Sequence, residues 1–120
     1  MTLKEFYTAI GGDYFDVLER LRNEQLIRKF VLKFSDDKNF EILCKSLNEG
    51  DKEEAFRAAH TIKGVCQNLS FTRLEESSSM ITEALRGGDL AGALALLNRL
   101  REDYKTIVSA IQALEAEISQ

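Results

Sequence analysis

His60 is the only histidine of this 120-residue chain, and the residues around it are of types that could make it a working nucleophile. An imidazole nitrogen can attack phosphorus, a nearby cation can balance the charge that arrives, and a gap in the side-chain surface can let a second molecule come close. The stretch from Ala55 to Leu69 reads AFRAAHTIKGVCQNL. Wound as an α-helix at about 100° per residue, it sets Ala55, Ala58, Ala59, Ile62, Val65, Cys66 and Leu69 on one side and points His60 to the other. Relative to His60, Lys63 falls at about −60°, Gly64 at about +40° and Gln67 at about −20°. These four residues form one water-facing stripe with the imidazole in its middle.

A glycine inside a helix destabilises it by roughly 1 kcal/mol relative to alanine. Gly64 lies away from the apolar face, so burial does not account for it, whereas access to the imidazole across bare backbone does. Each residue alone is a weak signal. Exposed histidines are mostly ordinary surface residues, Lys63 alone reads as a solvated charge, and a helical glycine often marks close helix packing. Their conjunction points to phosphoryl chemistry on His60, with Lys63 as the charge-balancing group and Gly64 as the opening.

The segment Ala59-His60-Thr61-Ile62-Lys63-Gly64, with Asn68-Leu69 after it, resembles the histidine phosphotransfer (HPt) domains of two-component phosphorelays, whose core reads Ala-His-x-(Leu/Ile)-Lys-Gly. The resemblance extends over about the whole chain, and it departs at Gln67 and Ser70, where that family commonly has a small residue and a glycine. The amide of Gln67 could hydrogen-bond the imidazole or a phosphoryl oxygen. The resemblance implies a phosphoryl carrier rather than an enzyme, with His60 as acceptor, Phe56 and Arg57 on the docking surface, and no cofactor of its own. Its implied partners are the receiver domain of a response regulator, which brings the phospho-aspartate and Mg²⁺, and a sensor histidine kinase.

Two other readings stand beside this one. A catalytically silent helical adaptor would leave the conjunction of Lys63 and Gly64 without a cause. An enzyme using His60 as acid or base would need a second catalytic group on the same face, and none is identifiable in the sequence. The chain also has no Gly-rich nucleotide loop and no evident metal-binding carboxylate cluster, so a partner must complete the chemistry.

Composition bounds the remaining possibilities. A hydrophobic content of 44% with 30% charged residues suits one soluble globular domain over residues 1–120. A net charge of −4 argues against nucleic-acid binding. No apolar run reaches the roughly 20 residues of a membrane span, and the N-terminus lacks an apolar signal core, so a cytoplasmic protein with no membrane partner is expected. Cys44 and Cys66 are too few for a disulfide framework or zinc site and read as buried small hydrophobes.

The elements that must position His60 follow from caps and periodicity, in a chain with no proline and no convincing period-two stretch. Thr2-x-x-Glu5 opens a short helix to about Ile10, ended by Gly11-Gly12, and Asp13 caps a second, Tyr14 to about Leu21, with Phe15, Leu18 and Leu21 as its apolar edge. Asn23 caps Glu24 to about Phe34, whose core stripe is Leu26, Ile27, Phe30, Val31 and Phe34, and Asn39 to about Leu47 follows. Gly50 stops that helix, and Asp51 with Glu54 caps the next, Lys52 to about Leu69. Thr72-x-x-Glu75 reads as a capping signature for a helix to about Arg86 with Leu74, Ser77, Ser78, Ile81 and Leu85 inward. Asp89 then caps a final helix of about 29 residues carrying Leu90, Leu94, Leu97, Leu100, Tyr104, Ile107, Val108, Ile111, Leu114 and Ile118. Short connections imply an all-α fold, an antiparallel up-down-up-down four-helix bundle over 23–120 with short extra helices over 1–22. The last helix is longer than its partners, so its end must pack on the N-terminal pieces, meet a neighbour or fray; a monomer is expected, with a coiled-coil dimer as the other outcome.

Overall fold

The computed structural model describes residues 1–118 and is all-helical over them. Seven helices follow one another: α1 (Leu3–Ala9), α2 (Tyr14–Leu21), α3 (Glu24–Phe34), α4 (Asn39–Glu49), α5 (Lys52–Leu69), α6 (Thr72–Arg86) and α7 (Leu90–Ile118). Five of them follow residue 22, with α3 and α4 separated by the expected turn. The most extensive helix contacts are α4 with α5, α5 with α6 and α6 with α7. The molecule measures 44 × 27 × 18 Å, and its long dimension is close to the roughly 43 Å that 29 helical residues span.

Local chemistry accounts for where most helices begin and end. Thr2 and Glu5 close a reciprocal capping box, Asp13 accepts from the Asp16 amide, and Asn23 from the Leu26 amide. Gly50 adopts a left-handed conformation at the end of α4, and Asp51 caps α5 through the Glu54 amide. The Glu54 carboxylate does not return that bond; it pairs with Arg57 instead. Asp89 accepts from the Gly92 amide at 2.8 Å.

The cap of α6 departs from expectation. Thr72 is the first helical residue, the N-cap is Phe71, and no side chain bonds the free amides there. Only Ser70 and Phe71 separate α5 from α6, and the cap position is occupied by a ring that packs. Phe71 is 1% exposed and meets Phe6, Tyr7 and Phe34 at centroid distances of 6.1, 5.8 and 5.3 Å. Phe34 continues to Tyr104, which stacks on Phe40 at 3.9 Å. This ring cluster ties α1, α3, α4 and α7 to the turn at the end of α5.

Three residues expected to face inward do not, and the first is Leu26 on α3, which is 36% exposed beside buried Ile27 because the buried row of that helix runs through Ile27, Val31 and Phe34. On α2 the buried residue is Val17, while Phe15 is 66% exposed, under the Lys4 ammonium and against Tyr14. An eight-residue helix offers the core only a narrow strip, and the strip taken is centred on Val17. On α7 Leu94 is 42% exposed and Ala93 is buried in its place; the buried row through Ala93, Leu97, Leu100, Ile107, Ile111 and Leu114 leaves Leu94 at its margin. Helix α1 packs on α7, and Ile111 and Leu114 of α7 are fully buried.

Buried hydroxyls on α6 are satisfied by carbonyls of their own helix. Ser78 and Thr82 on α6 are fully buried, and their hydroxyls donate to the Leu74 and Ser78 carbonyls, each at 2.7 Å, which removes the cost of an unpaired hydroxyl. Cys66 is free and buried, and burial pushes its thiol pKa up; Cys44 is free and half-buried.

The Tyr7 hydroxyl donates to the Leu69 carbonyl at 2.7 Å in a buried setting, satisfying one of the last acceptors of α5. Tyr7→Phe is therefore expected to lower unfolding free energy by about 1–2 kcal/mol, read as a shift in urea midpoint with unchanged slope; an unaltered midpoint would show that water replaces the bond without loss.

Candidate functional site

Helix α5 presents two surfaces. Ala55, Ala58, Ala59, Ile62, Cys66 and Leu69 are buried, none more than 4% exposed, while His60, Gly64 and Gln67 are exposed and Lys63 is half-buried. The small side chains on the inner surface let α4 and α6 come close, so the helix is gripped from behind and bare in front. The four residues singled out by winding the sequence are thus brought to one open face. Val65, expected inward, is half-buried at the edge between the two surfaces.

His60 is exposed and neither accepts nor donates a hydrogen bond among the described residues. Its ring lies against that of Phe56, one helical turn earlier, with centroids 5.8 Å apart and planes inclined by 24°. Lys63 makes no ion pair or side-chain hydrogen bond among the described residues and retains its reach. A Cβ built at Gly64 would meet nothing within 4 Å. The glycine is not there to let another helix in, and the space beside His60 is open. Arg57 is exposed and paired with Glu54.

The C-terminal half of the stripe borders a shallow groove lined by Asp16, Arg20, Gly64, Gln67, Asn68 and Glu75, and α2 supplies a clamp there. Arg20 donates to the Asn68 carbonyl at 2.9 Å, to the Ser70 hydroxyl at 3.0 Å and to Asp16 at 2.7 Å, and the Ser70 hydroxyl donates to Asp16 at 2.6 Å. Ser70 itself is left-handed, with φ +57°, a conformation that costs a residue with a Cβ about 1–2 kcal/mol. The Asp16–Arg20 contacts hold it there. Gly12 completes the clamp, because a Cβ on it would come within 2.9 Å of the Ser70 carbonyl, and that same carbonyl accepts from the Asp13 amide at 3.0 Å. The Ser70 hydroxyl first, then the Arg20 guanidinium, hold the Asp16 carboxyl below its ordinary pKa.

Sequence reasoning missed Asp16, Arg20 and Arg86. The first two stand about 50 residues from the stripe they brace and carry no motif. Arg86, at the end of α6, lies over the Phe56 ring at 5.1 Å, and its only trace in the sequence is that it closes a helix. No group of three or more His, Cys, Asp or Glu side chains that could hold a metal ion occurs among the described residues, and no helix among them is long and apolar enough to cross a membrane.

The family model described as Hpt domain matches residues 16–117, which takes in α3 to α6 and most of α2 and α7. The searches of curated proteins and of solved structures gave no significant match.

Two outcomes are expected from this geometry. Gly64→Ala should raise stability by up to about 1 kcal/mol, measured as a higher melting temperature, since the methyl meets nothing; a lower one would mean that the space is filled. Because the Asp16 pKa is depressed in the folded state, its stabilising effect is present above the ordinary carboxylate pKa of about 3.9 and is lost as pH falls through the folded value. The stability gap between the protein and Asp16→Asn should accordingly narrow from pH 7 to pH 3 in urea titrations, and a constant gap would contradict the clamp.

Proposed function

Because the chain belongs to the Hpt domain family over residues 16–117, a family of phosphoryl carriers in phosphorelays, we propose that it accepts a phosphoryl group on His60 and exchanges it with the aspartate of a response-regulator receiver domain. The observation that carries the reading is the position of His60. It lies in the family's sequence core, on the open face of α5, beside a glycine over which nothing stands.

In the forward step the Nε2 lone pair, on the ring nitrogen farthest from the backbone, attacks the phosphorus of the receiver's acyl phosphate. The N–P bond forms, the P–O bond to the aspartate breaks, and the electron pair returns to the carboxylate; the reverse step runs the same bonds backward. The partner supplies Mg²⁺, and the chain described here supplies the nucleophile and its surroundings. Lys63, which makes no ion pair among the described residues, balances the two negative charges of the phosphorylated ring. Gly64 gives the partner room to bring phosphorus into line, since positioning is most of what phosphoryl transfer asks of a protein. Phe56 and Arg57 flank the stripe as an apolar and a cationic docking contact, and Gln67 can hydrogen-bond a phosphoryl oxygen. Helices α4 to α7 form the antiparallel bundle in this reading, with α1 to α3 bracing one end, and the whole acts as a cytoplasmic monomer.

His60→Gln should abolish phosphate uptake from a phosphorylated receiver while leaving the circular dichroism and melting curve unchanged, because the imidazole makes no core contact; equal labelling of both proteins would refute the reading. Lys63→Ala should shorten the phosphohistidine lifetime or slow its formation by about three- to ten-fold, the size of one charge-assisted contact, and unchanged transfer kinetics would take Lys63 out of the mechanism. Gly64 replaced by a bulky residue should slow transfer without lowering the melting temperature.

A further inference from the structure

We propose that Arg86, on the last turn of α6, is a positioning residue for His60 and acts through Phe56. The inference rests on the phosphoacceptor reading above and adds to it how the imidazole is aimed. An exposed histidine on a helix surface ordinarily samples several χ1 and χ2 states, and each misdirected state is lost to an in-line transfer. Here one contact restrains the ring. Phe56, at the i−4 position, lies nearly parallel to it, 5.8 Å away and inclined by 24°, the pairing that side chains one helical turn apart can make.

Phe56 would be a poor guide if it were itself free to turn, and Arg86 is what holds it. The guanidinium lies over the Phe56 ring, 5.1 Å from its centroid, within the range of a cation–π contact. It is steadied by Glu83 on its own helix at 3.2 Å. A shallow hollow lined by Lys52, Glu53, Phe56, Leu85 and Arg86 surrounds the contact, and buried Leu85 anchors the same turn of α6 in the core. The order Glu83, Arg86, Phe56, His60 therefore runs from a fixed helix end to the reacting ring. α6 contributes to the site without touching the imidazole.

A double-mutant cycle tests this, using the intact protein and a phosphorylated receiver, together with the ring-current shifts of the His60 protons in the unphosphorylated protein. Arg86→Gln is expected to slow transfer about two- to five-fold, the size of an exposed cation–π contact, and to reduce the upfield shift that Phe56 imposes on the His60 protons. Arg86→Lys, which keeps a cation, restores most of both. In a Phe56→Ala background Arg86→Gln has no further effect. An equal effect of Arg86→Gln in the presence and absence of Phe56 would overturn the proposal by showing that Arg86 meets the partner directly, and so would unchanged His60 shifts in Arg86→Gln. The chemical-shift measurement needs no phosphoryl donor. Should the parent protein take no phosphate from any receiver, the carrier reading fails, while the positioning of His60 by Arg86 is still decided by the shifts.

Discussion

The structure depends on the burial of a narrow row of small side chains along one face of α5. Ala55, Ala58 and Ala59 have almost no side chain to exclude a neighbour, and Ile62, Cys66 and Leu69 continue the row with apolar contact. Close approach from α4 and α6 then fixes the rotation of the helix about its axis. Because residues on a helix are locked to one another at 100° each, fixing the inner face also fixes the outer one. His60, Lys63, Gly64 and Gln67 are held in solvent by what the alanines do on the far side. A helix packed by bulky side chains could roll by tens of degrees with little loss, and the site would roll with it.

The second constraint sits at the end of α5. The helix stops where Ser70 turns left-handed, and it is pinned there by contributions from two preceding helices. Tyr7 on α1 bonds the Leu69 carbonyl, and Arg20 on α2 bonds the Asn68 carbonyl and the Ser70 hydroxyl. Phe71 follows at once as the hub of the ring cluster. The short N-terminal helices, too short to hold together in isolation, are thus part of the support of the site. Gly12 and the Ser70 carbonyl meet too closely for any side chain to intervene, which makes the clamp as tight as the backbone allows.

Much of this was legible in the amino-acid order, because it is written locally. Thr2 with Glu5, Asp13, Asn23, Gly50 with Asp51, and Asp89 mark helix ends by chemistry confined to a few neighbouring residues, and each stands where expected. The stripe around His60 was legible because helical winding alone decides which residues share a face. What escaped was tertiary. Phe15 and Leu94 read as core by type, but whether an apolar residue at the margin of a stripe is covered depends on a neighbour the local pattern does not name. Thr72 reads as a cap, yet the link after α5 is so short that Phe71 takes the position and packs instead. Asp16, Arg20 and Arg86 reach α5 and the turn that ends it from about 30 to 54 residues away in sequence, and no spacing announces them. The family match over residues 16–117 agrees with the family that the local pattern resembles and is silent on these long-range partners.

The central claim is that a solvent-facing ring nitrogen of His60 is the phosphoryl acceptor. Nitrogen-15 NMR of the imidazole, recorded as the protein is incubated with a phosphorylated receiver domain and Mg²⁺, tests it most directly. The Nε2 resonance should move to a phosphorylated position while Nδ1 remains bonded only to carbon and hydrogen, and the change should decay as the phosphate returns to the receiver. Phosphate found on the protein with both ring nitrogens unchanged would contradict it.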